Sequence, residues 1–168
     1  APPADRLPGA CRPGDVVSCT GTVPGGVPAT VSADHVASLR GTGVTVVLDV
    51  QGEAMLRALP AGPVALAKPN ESEIAALPGV DRDGPDPVAE ALQSLAGSGV
   101  AHPLVTLGSA GAAFLRDGRV HRASRPVETP EVAVGAGDTV LAGVCAAILA
   151  GGVRPATWCR QAWLPPQG

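Results

Sequence analysis

The run VTVVLDV, residues 44–50, constrains the fold more than any other segment of the chain. It is apolar almost without interruption, whereas a strand with one face in water alternates apolar and polar residues. Such a run is typical of a parallel strand that is covered on both faces. The segment therefore predicts a sheet that lies between two layers of helices.

Strand and helix patterns alternate on both sides of this run. Further strands are predicted near 15–19, 63–69, 103–107 and 112–115, and helices near 31–41, 52–59, 70–77, 85–99, 136–151 and 156–163. Ser32 and Asn70 are the predicted N-caps of the first and third helices. Asp117 and Gly118 predict a hairpin turn after the last two strands. This order predicts an α/β protein with a mostly parallel sheet, helices on both faces and a late antiparallel hairpin at one edge.

Four loops follow predicted strands or precede predicted helices. They are TGTVPGG at 20–26, KPNESE at 68–73, TLGSAG at 106–111 and VGAGD at 134–138. Ligands of parallel α/β sheets bind beyond the carboxyl ends of the strands. We therefore expect the active site among these four loops.

Composition excludes several classes of function. Lys and Arg number 12 against 15 Asp and Glu, for a net charge of −3, and the arginines are scattered, so no nucleic-acid surface is expected. No signal peptide and no apolar stretch of about 20 residues are visible, so we expect a cytoplasmic protein with no membrane partner. Cys11, Cys19, Cys145 and Cys159 lack the spacing of a zinc site and are interpreted as thiols in a reducing compartment.

The turn GAGD at 135–138 leads into an apolar run that has the composition of a buried helix. Backbone N–H groups at a helix start are unpaired and carry the positive end of the dipole, so small residues there allow a phosphate to approach. Asp138 would repel that phosphate, and it is therefore interpreted as a base that takes a proton from an attacking hydroxyl. The alternative is an acidic first-turn residue that only complements the dipole.

The ordered set TGTVPGGVP, VLDVQGE, KPNESEI, VTLGSAGA and VGAGDTVLAG resembles the carboxy-terminal part of the PfkB carbohydrate kinases, which have the ribokinase-like fold. The similarity runs from about residue 15 to residue 150 and is strongest to the 1-phosphofructokinase and tagatose-6-phosphate kinase branch. The resemblance implies a three-layer α/β/α fold. It also implies transfer of the ATP γ-phosphate to a hydroxyl of a sugar phosphate. Fructose 1-phosphate and tagatose 6-phosphate both remain open as the substrate.

The resemblance assigns roles in phosphoryl transfer to the GAGD turn. Asp138 corresponds to the catalytic base of the family. The N–H groups of Gly135, Ala136 and Gly137 correspond to the anion hole for the transferred phosphate, and Gly137 is also placed against ATP. These assignments agree with the reading of the turn from its own chemistry.

Two other motifs carry implied ligand contacts. Thr106, Gly108 and Gly111 match a loop that contacts ATP, with Thr in place of the usual Ser. Asn70 and Glu73 match the NxxE motif, which is associated with Mg²⁺ placement, mostly through water. A hard cation among carboxylates and water suits Mg²⁺. The alternative for this pair is a helix cap with its reciprocal partner three residues on, and we expect Lys68 to be structural or weakly electrostatic.

The sequence also departs from the family pattern. Val132 and Ala133 replace the polar residues that usually precede GAGD, and the family's amino-terminal sugar-binding and lid half has no counterpart. The 168 residues are therefore expected to form one partial kinase domain, truncated at the amino-terminal side. Such a chain is a kinase completed by a longer chain or a partner, or a non-catalytic remnant that binds nucleotide or another protein. A nicotinamide dehydrogenase is disfavoured because no GxGxxG follows an early strand.

The histidines and tryptophans add little to this function. His35, His102 and His121 lie in a helix, at a strand start and on a hairpin, so we expect none to be catalytic. Trp158 and Trp163 are five residues apart and do not share a helical face. They would cover apolar surface or meet another chain. Because the truncated sheet should expose an edge, homo-oligomers or a complementing chain are expected.

Overall fold

The computed structural model describes residues 6–124 and 136–150. Its strands are β1 Val16–Gly21, β2 Thr45–Val50, β3 Leu66–Ala67, β4 His102–Thr106, β5 Ala112–Arg116 and β6 Arg119–Ala123. Its helices are α1 Leu7–Ala10, α2 Val31–Ser38, α3 Gly52–Ala58, α4 Pro87–Gly97 and α5 Ala136–Leu149, with 3₁₀ turns at Leu59–Ala61, Ile74–Ala76 and Gly108–Ala110. Among these described helices, none has the length and apolar character that crossing a membrane requires.

The six strands form one sheet in chain order. Strands β1 to β4 are parallel, and β5 and β6 are antiparallel to their neighbours. Each parallel crossover places the carboxyl ends of β1 to β4 at the same edge of the sheet. The predicted parallel sheet with a late hairpin is confirmed.

Apolar side chains are buried on both faces of this sheet. Val46 and Leu48 of β2 belong to a core shared with α2, α3 and α4. Val47, between them, belongs to a second core with Leu141 and Val144 of α5. Because successive strand residues point to opposite faces, α5 lies on the face away from the other three helices. The uninterrupted apolar run therefore reflects a sheet covered on two sides, as predicted.

The hairpin between β5 and β6 closes through a two-residue turn. Asp117 has φ +50° and Gly118 has φ +71°, which is the pair of positive angles that a type I′ turn requires. Arg116 then pairs with Arg119 in register, and the rings of Phe114 and His121 stack at 5.2 Å further along the hairpin. The Asp-Gly pair thus fixes the register that the sequence predicted.

The predicted cap at Ser32 is wrong. The helix begins one residue earlier, at Val31, with Thr30 as its N-cap, and Ser32 is buried within it. The Asp34 N–H donates to the Thr30 carbonyl at 2.8 Å, so the first turn closes on Thr30. Thr30 and Ser32 are both common N-cap residue types, so the sequence alone does not decide which of them caps the helix.

The predicted helix over 70–77 is also wrong. Asn70 begins a tight turn, and only Ile74–Ala76 is helical, as a 3₁₀ turn. Leu77 is extended, with ψ 142°, because Pro78 follows it and a residue before proline avoids helical angles. The segment is therefore too short for an α-helix. The predicted terminal helix at 156–163, with Trp158 and Trp163, lies outside the described residues.

Candidate active site

Two of the four predicted loops, 68–73 and 106–111, follow the neighbouring strands β3 and β4 at one edge of the sheet, where β2 also ends. Asp49 is the penultimate residue of β2, Lys68 directly follows β3, and Thr106 ends β4. The pairing of Leu48 with Ala67 sets Asp49 and Lys68 side by side. The first loop, after β1, instead borders a cleft of about 270 Å³ between β1 and α2.

A buried ion pair joins the ends of β2 and β3. The Nζ atom of Lys68 lies 3.0 Å from Oδ1 of Asp49, and their side chains are 5% and 16% exposed. An ammonium has three N–H donors. Within residues 6–124 and 136–150, Asp49 is the one group that pairs with it, so two donors of a buried cation are left for another acceptor.

Charges near Asp49 act on it in opposite directions. Burial raises the pKa of the Asp49 carboxyl, the hydrogen bond and charge of Lys68 lower it, and the negative charge of Asp138 raises it. The effect of Asp138 shows that the start of α5 lies close enough to interact with this pair. Asp49, Lys68 and Asp138 therefore form one electrostatic cluster.

The first turn of α5 lies directly against the lysine. A Cβ atom built on Gly137 would be 3.3 Å from the Lys68 Nζ, so the ammonium occupies the space in front of this glycine. Asp138, the next residue, has an exposed side chain that points away from the core. The positive end of the α5 dipole and a buried ammonium thus meet at the GAGD turn. Ala136 begins α5, and Gly135, like Val132 and Ala133, lies outside the described residues.

Asn70 and Glu73 bind each other across the turn after Lys68. The Asn70 N–H donates to Oε2 of Glu73 at 2.9 Å, while Oδ1 of Asn70 accepts from the Glu73 N–H at 3.1 Å. Oδ1 also accepts from the N–H and hydroxyl of Ser72. This is the reciprocal capping arrangement, formed on a 3₁₀ turn. Within the described chain, Oε1 of Glu73 has no hydrogen-bond donor.

The turn at Asn70 is fastened to the end of β4. The Glu71 N–H donates to the Thr106 carbonyl at 3.0 Å, and the Thr106 N–H donates to the Pro69 carbonyl at 3.1 Å. The structure therefore brings Asn70, Glu73 and Thr106 together. Asn70 and Glu73 lie on the same chain segment as Lys68.

Glycines shape the loop after Thr106. The Leu107 N–H donates to the Gly111 carbonyl at 2.8 Å, which closes the loop. Gly108 and Gly111 have φ +56° and +101°, in the region that favours glycine. A side chain on Gly108 would meet open space, whereas one on Gly111 would overlap the Ala123 carbonyl oxygen. Gly108 is thus open to a ligand, and Gly111 is required for the packing of the loop on β6.

Asp49 is not among the residues that the sequence motifs predict for the site. Its signal was the single carboxylate near the carboxyl end of an otherwise apolar strand, VTVVLDV. A charge that far inside an α/β sheet needs a partner. The partner is Lys68, which lies at the centre of the cluster, and its structural or weakly electrostatic role stays a prediction.

The remaining chemistry-bearing residues lie apart from this cluster. Cys11, Cys19 and Cys145 are free thiols, and burial raises the pKa of Cys19 and Cys145, which disfavours the reactive thiolate. Burial lowers the pKa of His102, at the other end of β4. In the part of the chain that the structure describes, no group of three or more His, Cys, Asp or Glu side chains could hold a metal ion.

Comparisons with known proteins show which family the chain is similar to. The model of the pfkB family carbohydrate kinases matches residues 6–162. A 1-phosphofructokinase from Rhodobacter capsulatus is 37% identical over 130 residues, which are 77% of this chain and 41% of that protein. The chain therefore spans less than half the length of this curated relative.

Solved structures share the fold. Phosphofructokinase-2 from Escherichia coli, in complex with substrates and products, superposes with a TM-score of 0.82 at 26% identity, covering 93% of this chain and 51% of that one. Arabidopsis thaliana ribokinase, complexed with ribose and ATP, gives a TM-score of 0.68 at 25% identity, covering 88% and 47%. The predicted ribokinase-like architecture is confirmed, over about half of each of these chains.

Proposed function

Because the chain belongs to the pfkB family of carbohydrate kinases, we propose that it carries the phosphoryl-transfer site of an ATP-dependent phosphosugar kinase. In the proposed reaction, the γ-phosphoryl group of ATP moves to a hydroxyl of a sugar phosphate. The 37% identical relative is a 1-phosphofructokinase. For this chain we therefore propose a phosphofructose, in preference to a phosphotagatose, as the acceptor.

One observation carries the proposal. The buried ammonium of Lys68 faces Gly137 at the start of α5, at the edge of the sheet where β2, β3 and β4 end. A cation and a helix N-terminus that converge on one point attract a phosphate group. The backbone N–H groups of 135–137 are the proposed anion hole for the transferred phosphate.

Asp138 is the proposed general base. It follows Gly137 directly, and its exposed carboxylate has no ion-pair partner in the described chain. In this proposal a sugar hydroxyl oxygen forms the new bond to phosphorus, the bond from phosphorus to the ADP oxygen breaks, and the hydroxyl proton passes to Asp138. An unpaired carboxylate suits this role because it is free to accept a proton.

The loop from Thr106 to Gly111 is the proposed ATP contact. Gly108 leaves open space at its Cα, so the polyphosphate or ribose of ATP can approach the backbone there. Thr106 adds a hydroxyl at the end of β4. Gly111 contributes indirectly, because it permits the closed loop that presents Thr106 and Gly108.

Mg²⁺ fits this site through Glu73 rather than Asn70. The Oδ1 atom of Asn70 already accepts three hydrogen bonds, whereas Oε1 of Glu73 is uncommitted in the described chain. A single carboxylate oxygen holds Mg²⁺ mostly through water and needs the ATP phosphates to complete the shell. In this proposal Asn70 orients Glu73, and Mg²⁺ neutralises charge on the phosphates when it is bound.

The proposed function is tested by ADP release from Mg-ATP with a panel of sugar phosphates. The Asp138→Asn variant should lose about 10²- to 10⁴-fold in turnover if Asp138 is the base. It should retain most of its affinity for ATP, because the amide preserves the shape of the turn. Unchanged turnover in this variant would remove Asp138 from the role of base.

ATP titration of the same proteins separates the proposal from the non-catalytic alternative. Sugar-dependent ADP release that the Asp138→Asn substitution abolishes supports a kinase. Saturable ATP binding without release above the variant's background supports a nucleotide-binding remnant. The absence of both would contradict the proposed function.

A further inference from the structure

The Lys68 ammonium is more deeply buried than its bonding explains. Its side chain is 5% exposed, and Asp49 supplies one acceptor for three donors within the described residues. A buried ion pair adds little to stability compared with apolar side chains of the same volume. It lowers the stability of the fold when one of its buried donors has no acceptor. The ammonium lies at the start of α5, where the missing side chain of Gly137 makes room for it. An acceptor that arrives at this point would complete the ammonium's bonding.

We propose that Asp49 is a positioning residue of the phosphate site. Its carboxylate holds the Lys68 ammonium against the first turn of α5, so that the two remaining donors point at incoming phosphate oxygens. This inference rests on the proposed function, because it takes the ligand at that turn to be a polyphosphate. Asp49 touches neither the phosphate nor the sugar in this scheme, and it acts through Lys68.

The sheet explains how Asp49 can hold a flexible side chain. Asp49 is the penultimate residue of β2 and Lys68 follows β3, and the register between these strands is fixed by the pairing of Leu48 with Ala67. The carboxylate is therefore attached to a rigid backbone, whereas the lysine stem is long and has many rotamers. A fixed acceptor at 3.0 Å removes this freedom before the ligand arrives.

The same contact keeps Lys68 away from Asp138. The charge of Asp138 acts on Asp49, and Asp138 directly follows Gly137, which the ammonium faces; yet the ion pair forms with Asp49, and no ion pair of Asp138 is found in the described chain. If Lys68 paired with Asp138, the proposed base would be neutralised and held. By taking the ammonium, Asp49 leaves Asp138 available to accept a proton.

The test measures the affinity of the full chain for inorganic tripolyphosphate by isothermal titration calorimetry. Asp49→Ala removes the acceptor and should weaken binding about tenfold, because the ammonium is no longer oriented. Asp49→Asn keeps an oxygen in place of the carboxylate and should bind within about threefold of the native chain. Glu53→Gln, which removes the acceptor of an exposed ion pair with Arg57, is the matched control and should bind normally.

Melting temperatures separate positioning from folding. Asp49→Ala strands a buried cation and should melt earlier, so a double variant, Asp49→Ala with Lys68→Met, removes both charges and should recover much of the loss. A positioning role predicts that the double variant stays folded and still binds tripolyphosphate weakly. Native affinity in Asp49→Ala or in the folded double variant would overturn this inference alone. No saturable binding by the native chain would overturn the proposed function and this inference with it.

Discussion

At Gly111 the backbone of the candidate site leaves no room for a side chain. Its φ is +101°, and a Cβ atom there would overlap the Ala123 carbonyl oxygen and lie 2.9 Å from the Ser124 Cα. The obstacle is the backbone at the end of β6, which cannot move without disturbing the hairpin. The loop that presents Thr106 therefore depends on this one glycine for its packing.

Gly111→Ala should lower the free energy of unfolding by at least about 2 kcal/mol, from the left-handed backbone and the overlap together. Gly118→Ala is the matched control, because Gly118 also has a positive φ but meets nothing within 4 Å. It should cost only about 1 kcal/mol. Urea denaturation measures both, and equal losses would show that the overlap at Gly111 relaxes freely.

Asp49 illustrates what a sequence conveys about a single residue. The GAGD turn allowed a prediction from sequence, because small residues with one carboxylate at a helix start are typical of a phosphate-binding turn. The Asp49–Lys68 pair did not, because the two residues lie 19 positions apart and meet only through the register of two strands. Contacts across strands depend on pairing, which a linear pattern does not specify.

Among the elements, α4 has an N-cap residue, Asp86, that also forms an ion pair with β6. The Oδ1 atom of Asp86, the N-cap, accepts the Ala89 N–H at 3.0 Å, and both its carboxylate oxygens accept from Nη2 of Arg122 on β6. The Ala89 hydrogen bond, followed by the bond and charge of Arg122, holds the pKa of this carboxyl below its usual value. The cap thus ties the hairpin to the helix.

Asp86→Ala should destabilise the fold by about 1 kcal/mol, chiefly through the lost cap. Asp86→Asn keeps a capping oxygen and loses the charge, so it should cost less, because an exposed ion pair adds little. The folded-state pKa is lowered, so the charge contribution is present above the unfolded pKa of about 4 and disappears as pH falls through the folded value. Thermal melts between pH 7 and pH 2 should show the native advantage over Asp86→Asn shrinking only below about pH 4. A constant difference would contradict the assignment.

Local chemistry explains which elements were predictable. The Asp-Gly turn specified its hairpin, and the apolar run at 44–50 specified a sheet covered on both faces, because each signal excludes the alternatives at its own position. The segment 70–77 misled, because Asn70 and Glu73 form a capping pair whether or not a helix follows. Pro78, four residues beyond the start of the 3₁₀ turn, decided the outcome.

For the molecule as a whole, the two edges of the sheet differ in character. The outer strand β6 carries exposed Arg119, His121 and Arg122, which protect an edge from pairing with another chain. The other outer strand, β1, has the sequence VVSCTG and carries no charge. Among the described residues β1 pairs only with β2, so one row of its backbone N–H and carbonyl groups faces outward. An uncharged open edge favours pairing with a second strand.

We therefore expect the chain to self-associate through β1 at micromolar concentrations, with two copies of the strand pairing about a twofold axis. Ser18→Lys places a charge on an exposed position of β1, and a charged side chain on an edge strand opposes its pairing with another strand. Gln93→Lys adds the same charge to the exposed face of α4 and is the matched control. Light scattering over a concentration series should show association in the native chain and in Gln93→Lys, and a shift towards monomer in Ser18→Lys. A native chain that stays monomeric throughout would contradict the prediction, whereas association that all three proteins share equally would assign it to a surface other than β1.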